Sequence, residues 1–426
     1  MSVELGGGST GLKVPVGVLE LQIELIPNPT SRTSVAEEDI IAQINAERTN
    51  KTAAEREFLV YARRWWEEYH NVSKDHANRI VKVFAQLTSA TQVMLPVTSW
   101  VTPMIANRIL DSPQQAARFV ALLGYDADVG TASAVTQGGT AGSDSWMSTH
   151  AFLLKGQGHV CNHTILLCNL LLGFGLDAYV VIGRDENGPH MWVMTKTTEE
   201  VIFWESVTGA RYVHVLDGRP PTYMYTHVGC VFNHTVFYGN IQASDHVRSC
   251  TFNLDDETCW KPMSTMKLKL CKKQPKVPIH PSTIDCLALE ESLESSLLNF
   301  VKDHRDGMGL TCAWNAEFSY ILAQALCSYE HEKCYGVVVD NRYFEAAVKA
   351  NVRDGYTFKG YPMHFSHCSD RRIGKAFLQS RTCIDILETV GQLVTHCVRV
   401  KCFAYAENVV SVWVMLAVRY KGVAPS

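Results

Sequence analysis

Residues 155–183 read KGQGHVCNHTILLCNLLLGFGLDAYVVIG, and the fold of this chain turns on them. A Gly-rich loop feeds a buried helix at about 162–173 and then a strand at about 178–183. After a turn at Asn187-Gly188-Pro189 comes HMWVMT, a strand at about 190–195, and a third strand near 201–205 runs into FWES. A cysteine at a helix N-terminus gains from the positive end of the helix dipole, which favours the thiolate. A histidine on a following strand can pair with that thiolate, and a carboxylate on the next strand can orient the histidine. Cys161, His190 and Glu205 stand in that order.

These residues resemble the transglutaminase-like branch of the papain-type cysteine enzymes. That family places its nucleophile in Gly-x-Cys-x-x-aromatic/His-small ahead of an apolar helix, its histidine in a His-small-Trp-Val strand, and its acid at the end of the next strand. His190-Met191-Trp192-Val193 matches the histidine strand, and Trp204-Glu205-Ser206 the acid position, with Glu where the enzymes mostly carry Asp. Anchored on His163, Leu166 and Leu167, the pattern puts Gly158 at the family glycine and Val160 at the nucleophile position. Cys161 is then a displaced thiol, one residue late, and one residue on a helix is a rotation of about 100°. The resemblance implies a degenerate enzyme: His190 and Glu205 are triad-like remnants, and no catalytic residue, cofactor-binding residue or metal ligand is expected.

A chain of 426 residues has room for two or three domains, and 46% hydrophobic with 19% charged residues describes ordered globular structure. A formal charge of −4, without a long basic run, gives no electrostatic case for nucleic acid or a membrane surface. The 14 cysteines lie between Cys161 and Cys402 without a CxxC pair. They are expected to be reduced core residues of an intracellular protein rather than zinc ligands or a disulfide scaffold. No signal-peptide pattern is read, so the sequons Asn162-His163-Thr164 and Asn233-His234-Thr235 are expected to stay unused. Residues 164–183 are broken by Asn169, Gly173, Gly175 and Asp177, which suits helix, turn and strand rather than a membrane span.

Elsewhere, Val16 to Ile26 alternates as a half-wet antiparallel strand without an evident partner. Residues 34–69 read as helix, with capping-box starts at Ser34/Glu37 and Thr52/Glu55 and an aromatic stripe of Phe58, Ala62, Trp65 and Tyr69 suited to core packing. Ser112, Pro113 and Gln115 open a helix over about 113–123. Residues 126–145 read as a flexible loop, Trp146 to Leu154 as helix, and 262–283 as a boundary. Beyond it, helices are expected at about 287–304, 314–332, 341–350 and 371–380. Strands are expected at about 356–366, 396–406 and 409–420, the last two joined by a turn at Ala406-Glu407-Asn408. His364, His367 and Cys368 read as structural, for want of a second ligand pair.

Long stretches of the chain resemble the centrosomal protein of 76 kDa family. They include FLVYARRWWEEY at 58–69, RIVKVFAQ at 79–86, SPQQAARFVALLGY at 112–125, LLCNLLLGFGL, GCVFNH at 229–234, WKPMS at 260–264 and DGYTFKGYPMHF at 354–365. The family loop is Gly-Asp-Cys-Glu-Asp-His, where this chain has Gly158, His159, Val160, Cys161, Asn162 and His163. The resemblance implies an α+β chain: a papain/transglutaminase-like cysteine-proteinase fold, a smaller α+β C-terminal domain, and a terminal strand of a C2-type sandwich at the N-terminus. The expected boundaries are 1–28 for the truncated C2-type part, 29–100 for a helical linker packing on the next domain, 101–262 for the transglutaminase/peptidase-like domain and 283–426 for the C-terminal domain. A truncated C2 part implies that the front of a full-length member is missing.

The implied function is that of a non-catalytic scaffold of the centriole or basal body, regulating centriole reduplication through a degenerate cleft that binds protein. Its implied partners are centriolar proteins, including those that cap the distal end, with no nucleic acid and no direct membrane insertion. The implied location is the cytoplasm, cytoskeleton and centrosome. One alternative is an active thiol-dependent peptidase or acyl-transfer enzyme using Cys161, His190 and Glu205. A second is a membrane tether at the ciliary transition zone.

Overall fold

A computed structural model describes residues 2–7, 14–20, 36–73, 76, 78–87, 94–106, 108–126, 145–215, 221–340, 342–352 and 355–421. The architecture is α+β. The chain divides into two units, residues 1–56 and 57–426. In the first unit, strands β1 (Ser2–Gly7) and β2 (Val14–Glu20) pair antiparallel from Ser2↔Glu20 to Gly7↔Val14, with an irregularity between Leu5 and Gly6. The strand expected at 16–26 therefore starts at Val14 and has a partner, which the alternation alone did not reveal. Residues 21–35, with the end of that strand and the cap at Ser34, lie outside the described residues.

Helix α1 (Glu37–Val72) runs unbroken across the division of the chain. The second start expected at Thr52 does not exist. No Gly or Pro interrupts residues 37–72, and Ala53-Ala54 propagate a helix at almost no intrinsic cost. Glu37, Glu38 and Asp39 in its first turn complement the helix dipole.

In the second unit the elements follow as β3 (Phe84–Leu87), β4 (Met94–Pro96), α2 (Pro113–Leu122), β5 (Gly124–Tyr125), β6 (Ser145–Trp146), α3 (Thr149–Lys155), β7 (Gln157–Gly158) and α4 (Val160–Gly173). Ser112 caps α2, its Oγ accepting the Gln115 amide at 3.2 Å. The helix expected from Trp146 begins at Thr149, because Ser148 Oγ caps it by accepting the Ala151 amide, and Trp146 is left in a strand. The flexible loop expected at 126–145 falls outside the described residues over 127–144.

Strands β8 (Ala178–Asp185), β9 (Gly188–Lys196), β10 (Val201–Trp204), β11 (Arg211–His214), β12 (Tyr225–Phe232), β13 (Phe237–Asn240) and β14 (Trp260–Pro262) form one antiparallel sheet, in the order β11-β10-β9-β8-β12-β13-β14. Both of its faces are covered, so β8 and β9 read as nearly continuous apolar runs. Helix α4 lies on one face and is buried almost throughout, so it is mostly apolar and its polar residues Asn162, Thr164 and Asn169 are hydrogen-bonded. At Gly173 the contact is backbone against backbone: a Cβ there would sit 1.7 Å from the Met104 carbonyl oxygen. The residues of α1 from Glu57 onward bury Phe58, Ala62, Trp65 and Tyr69 in that same core. The other face carries an aromatic cluster of Tyr179, Trp192, Phe203, Tyr223, Tyr225, Phe252 and Trp260.

A short helix, α5 (Thr265–Lys269), leads into an extended segment that is tied down rather than loose. The Gln274 amide donates to Ser99 O at 2.9 Å, Lys273 Nζ to Thr98 O at 3.1 Å, and the His280 amide to Glu407 Oε1 at 2.6 Å. Then come α6 (Cys286–Gly307), α7 (Ala316–Tyr335), α8 (Arg342–Asn351), β15 (Tyr356–Phe365), α9 (Asp370–Gln379), α10 (Arg381–Leu387), β16 (Gln392–Ala404) and β17 (Val410–Lys421). The three strands form an antiparallel sheet in the order β15-β17-β16. Helices α6, α9 and α10 pack on one face and α7 on the other. The β16–β17 turn uses left-handed backbone at Glu407 (φ 54) and Asn408 (φ 57). Helix α10 escaped the sequence pattern because Ser380 ends α9 and caps α10 at once, leaving no loop between them.

Candidate functional site

Side chains alternate between the two faces of a strand, and that period decides where the candidate residues point. On β9, Met191 and Val193 join the core around α4, whereas Trp192 and Met194 belong to the aromatic cluster opposite. His190 shares the parity of Trp192. Its ring stacks at 6.3 Å on Trp192 and at 6.0 Å on Tyr225. On the next strand Phe203 faces the aromatic cluster and Trp204 the α4 core, so Glu205 follows Phe203 and Ser206 follows Trp204. The hydrogen bonds agree. Ser206 Oγ lies 3.0 Å from Thr164 Oγ1 of α4, and Glu205 meets His190 and Tyr225.

The structure thus brings His190 and Glu205 together, with Nε2 donating to Oε2 at 2.8 Å. Two further residues, which sequence reasoning missed, complete the cluster. Tyr225 donates its hydroxyl to Glu205 Oε2 at 2.9 Å. Asp185 Oδ2 lies 3.9 Å from His190 Nδ1. Asp185 is held there by the β8–β9 turn, where its Oδ1 accepts the Asn187 and Gly188 amides at 2.7 and 2.9 Å. Tyr225 had no signal in the sequence, because only the long-range pairing Tyr225↔Asp185 carries it to the site.

Burial pushes the His190 imidazole down. The hydrogen bond to Glu205 and the charges of Glu205 and Asp185 push it up and prevail, so its pKa stands above the ordinary 6.5. Burial, followed by the Glu205 charge, also raises the Tyr225 phenol, which keeps it a donor. The sign of the His190 shift fixes a prediction. The folded state holds the proton more tightly, so the pair's contribution is full below about pH 6.5 and fades as pH rises through the raised value. His190→Ala is expected to cost more stability at pH 6 than at pH 9 in paired thermal melts. An equal cost at both would rule out the charged pair.

Val160 and Cys161 are completely buried in the core that α4 shares with Met191 and Val193. They occupy the first turn of α4, behind His159, whose amide donates to Asn162 Oδ1 at 3.1 Å. His163, one turn on, has its ring nitrogens 3.0 Å from His159 O and 3.4 Å from Leu123 O, and burial lowers its pKa. The α4 core and the His190 ring lie on opposite faces of the sheet, while the Glu205 carboxylate, just past the end of β10, is near enough to α4 for its charge to act on His163.

A second buried polar cluster, which no local pattern in the chain announces, lies where α2 meets the C-terminal helices. Arg118 on α2 makes a bidentate pair with Glu330 on α7, Nε to Oε1 at 3.0 Å and Nη2 to Oε2 at 2.8 Å. Glu330 also accepts from Tyr405 (2.6 Å), Ser411 (2.7 Å) and Trp413 (2.6 Å). His364, read as structural from the sequence, has its Nε2 2.7 Å from Arg118 Nη2 and 3.0 Å from Ser411 Oγ. Among the described residues no group of three or more His, Cys, Asp or Glu could hold a metal ion. Nor is any helix among them long and apolar enough to cross a membrane.

Two family models match the chain: the CEP76 peptidase-like domain over residues 144–263 and the centrosomal protein of 76 kDa C-terminal domain over residues 282–421. The chain is 41% identical over 441 aligned positions to the centrosomal protein of 76 kDa of Mus musculus and to that of Homo sapiens, covering 99% of this chain and 65% of each relative. More distantly, it is similar to the coiled-coil and C2 domain-containing protein 2A of Drosophila melanogaster, at 24% identity over 64% of this chain and 20% of that protein. The chain spans about 65% of the length of the first two relatives. The matched models cover the sheet with its His190 cluster and the C-terminal α+β part, and the alignment at 41% identity extends over 99% of the chain: the chain belongs to the centrosomal protein of 76 kDa family.

Proposed function

We propose that the chain is a non-catalytic interaction protein of the centrosome, acting at the centriole or basal body through a peptidase-like domain that binds protein without cutting it. One observation carries the reading. A catalytic histidine turns one ring nitrogen to its acid and keeps the other for the nucleophile's proton. His190 turns Nε2 to Glu205 and Nδ1 towards Asp185, and it does so on the face of the sheet away from α4. Val160 holds the nucleophile position, and Cys161 beside it is buried with the α4 core. On this reading His190, Glu205 and Tyr225 are a structural remnant that braces the strand ends.

The domain plan belongs to the same proposal: residues 1–28 as the end of a C2-type sandwich, 29–100 as a helical linker, 101–262 as the peptidase-like domain and 283–426 as the C-terminal domain. The partners in this proposal are centriolar proteins, including those that cap the distal end; the relatives' name supports the centrosome.

The test has two parts. A tagged copy in a centriole-bearing cell is expected to form a centriolar focus, and a diffuse signal would remove the reading's support. In vitro, native Cys161 is expected to resist alkylation at all accessible pH, with peptide mapping to separate it from the other thirteen cysteines, and His190→Ala should leave its rate unchanged. A thiol that titrates well below about 8.5 and slows in His190→Ala would revive the thiol-enzyme alternative.

A further inference from the structure

A groove of about 1130 Å³ opens where the β9–β10 turn, the end of β11 and residues 249–255 meet. It is not the His190 cluster: Lys196, in its wall, is six residues along β9 from His190, or about 20 Å at the rise of a strand. Its apolar lining is Val201 and Phe252, from the aromatic-cluster side of the sheet, with Val213 and Val215 at the end of β11. Val213 and Val215 are 47% and 55% exposed. The rim is acidic: among the described residues Asp177, Glu199, Glu200 and Asp255 line it with Lys196. None of these four carboxylates forms an ion pair among the described residues. Asp177 and Asp255 stand near enough to each other that both, after burial, raise the Tyr179 and Tyr238 phenols.

We propose that this groove docks an extended segment of a partner protein in which lysines or arginines alternate with apolar residues. This goes beyond the reading of the domain as a binding module by naming the surface and the chemistry of what it takes. Charge complementarity selects a cationic occupant: four carboxylates without an ion pair among the described residues, one of them hydrogen-bonded to Tyr179, repel an acidic occupant and attract a basic one. The neighbouring strand favours an extended shape. Among the described residues β11 is the last strand of its sheet, and an edge strand offers a row of backbone donors and acceptors to an added strand. Alternate side chains of an extended segment point to opposite sides, so apolar ones can meet Val201 and Phe252 while basic ones meet the carboxylates.

The experiment uses the purified full chain and a fluorescein-labelled, end-capped octapeptide alternating lysine and valine, followed by anisotropy at low salt. Saturable binding is expected. Glu199→Lys with Glu200→Lys, on an exposed turn whose fold is checked by thermal melting, is expected to weaken it by about tenfold or more. A lysine–serine octapeptide is expected to bind more weakly than the lysine–valine one. Absence of saturable binding, equal affinity of the charge-reversed variant, or equal affinity for the serine peptide would each overturn the proposal. None of these outcomes touches the centriolar focus, so failure here is distinguishable from failure of the proposed function.

Discussion

Arg118→Ala is expected to destabilise the protein by about 3–5 kcal/mol, and Glu330→Ala by at least as much, because each leaves a buried charge without its partner. Both side chains are about 95% buried and the pair is bidentate, so solvent screens little of the interaction. The two losses differ in kind. Without Arg118, Glu330 keeps three neutral donors, from Tyr405, Ser411 and Trp413. Without Glu330, the Tyr405 hydroxyl and the Trp413 indole lose their acceptor, and the Arg118 guanidinium loses its counter-charge and keeps only neutral His364 and Ser411, so each adds its own desolvation cost. Urea unfolding of the two variants measures the ranking. A loss below about 1 kcal/mol for both would mean that water replaces the pair.

The same cluster sets the acid limb of the stability curve. Burial alone would raise the Glu330 carboxyl, but Arg118 and the hydroxyl donors outweigh it and hold the pKa at about 2, against 4.5 for a free glutamate. Its contribution is therefore present above about pH 4.5 and lost as pH falls towards 2. Burial, then the Arg118 charge, depresses His364 from 6.5 to about 4, so the unfolded chain takes that proton first and stability is lost as pH falls between those values. Arg118→Ala is expected to flatten the limb below pH 4.5, and a limb identical to wild type would refute the assignment.

Trp65→Ala is expected to cost about 3–5 kcal/mol, as large-to-small changes at buried aromatic positions do. Trp65 is 2% exposed, stacks on Tyr69 at 5.4 Å and meets Phe237 edge-on at 5.5 Å. Its indole N–H donates to Pro262 O at 2.9 Å, so the truncation also strands a carbonyl at the edge of the sheet. Trp66→Ala, one residue on and half-exposed, is the internal control and is expected to cost clearly less. Comparable losses would show that the whole aromatic run matters rather than the buried stripe.

By itself the sequence determined the local elements of this protein. The mostly apolar run at about 162–173 had to be a buried helix, and the turn at Asn187-Gly188-Pro189 had to join the two strands that flank it. The spacing of Phe58, Ala62, Trp65 and Tyr69 had to present one apolar face, and the hairpin of β16 and β17 was set by its short turn. Each of these rests on periodicities that neighbouring residues carry. Tertiary structure alone decided the rest. The order Cys161, His190, Glu205 suggested a triad, yet strand parity and sheet packing put His190 and Glu205 on one face and the α4 core on the other. Tyr225 reached Glu205 through the pairing of β12 with β8, and Arg118 found Glu330 across 212 residues of chain. A hydrogen bond between residues so distant in sequence depends on how whole layers pack, and no local pattern records it.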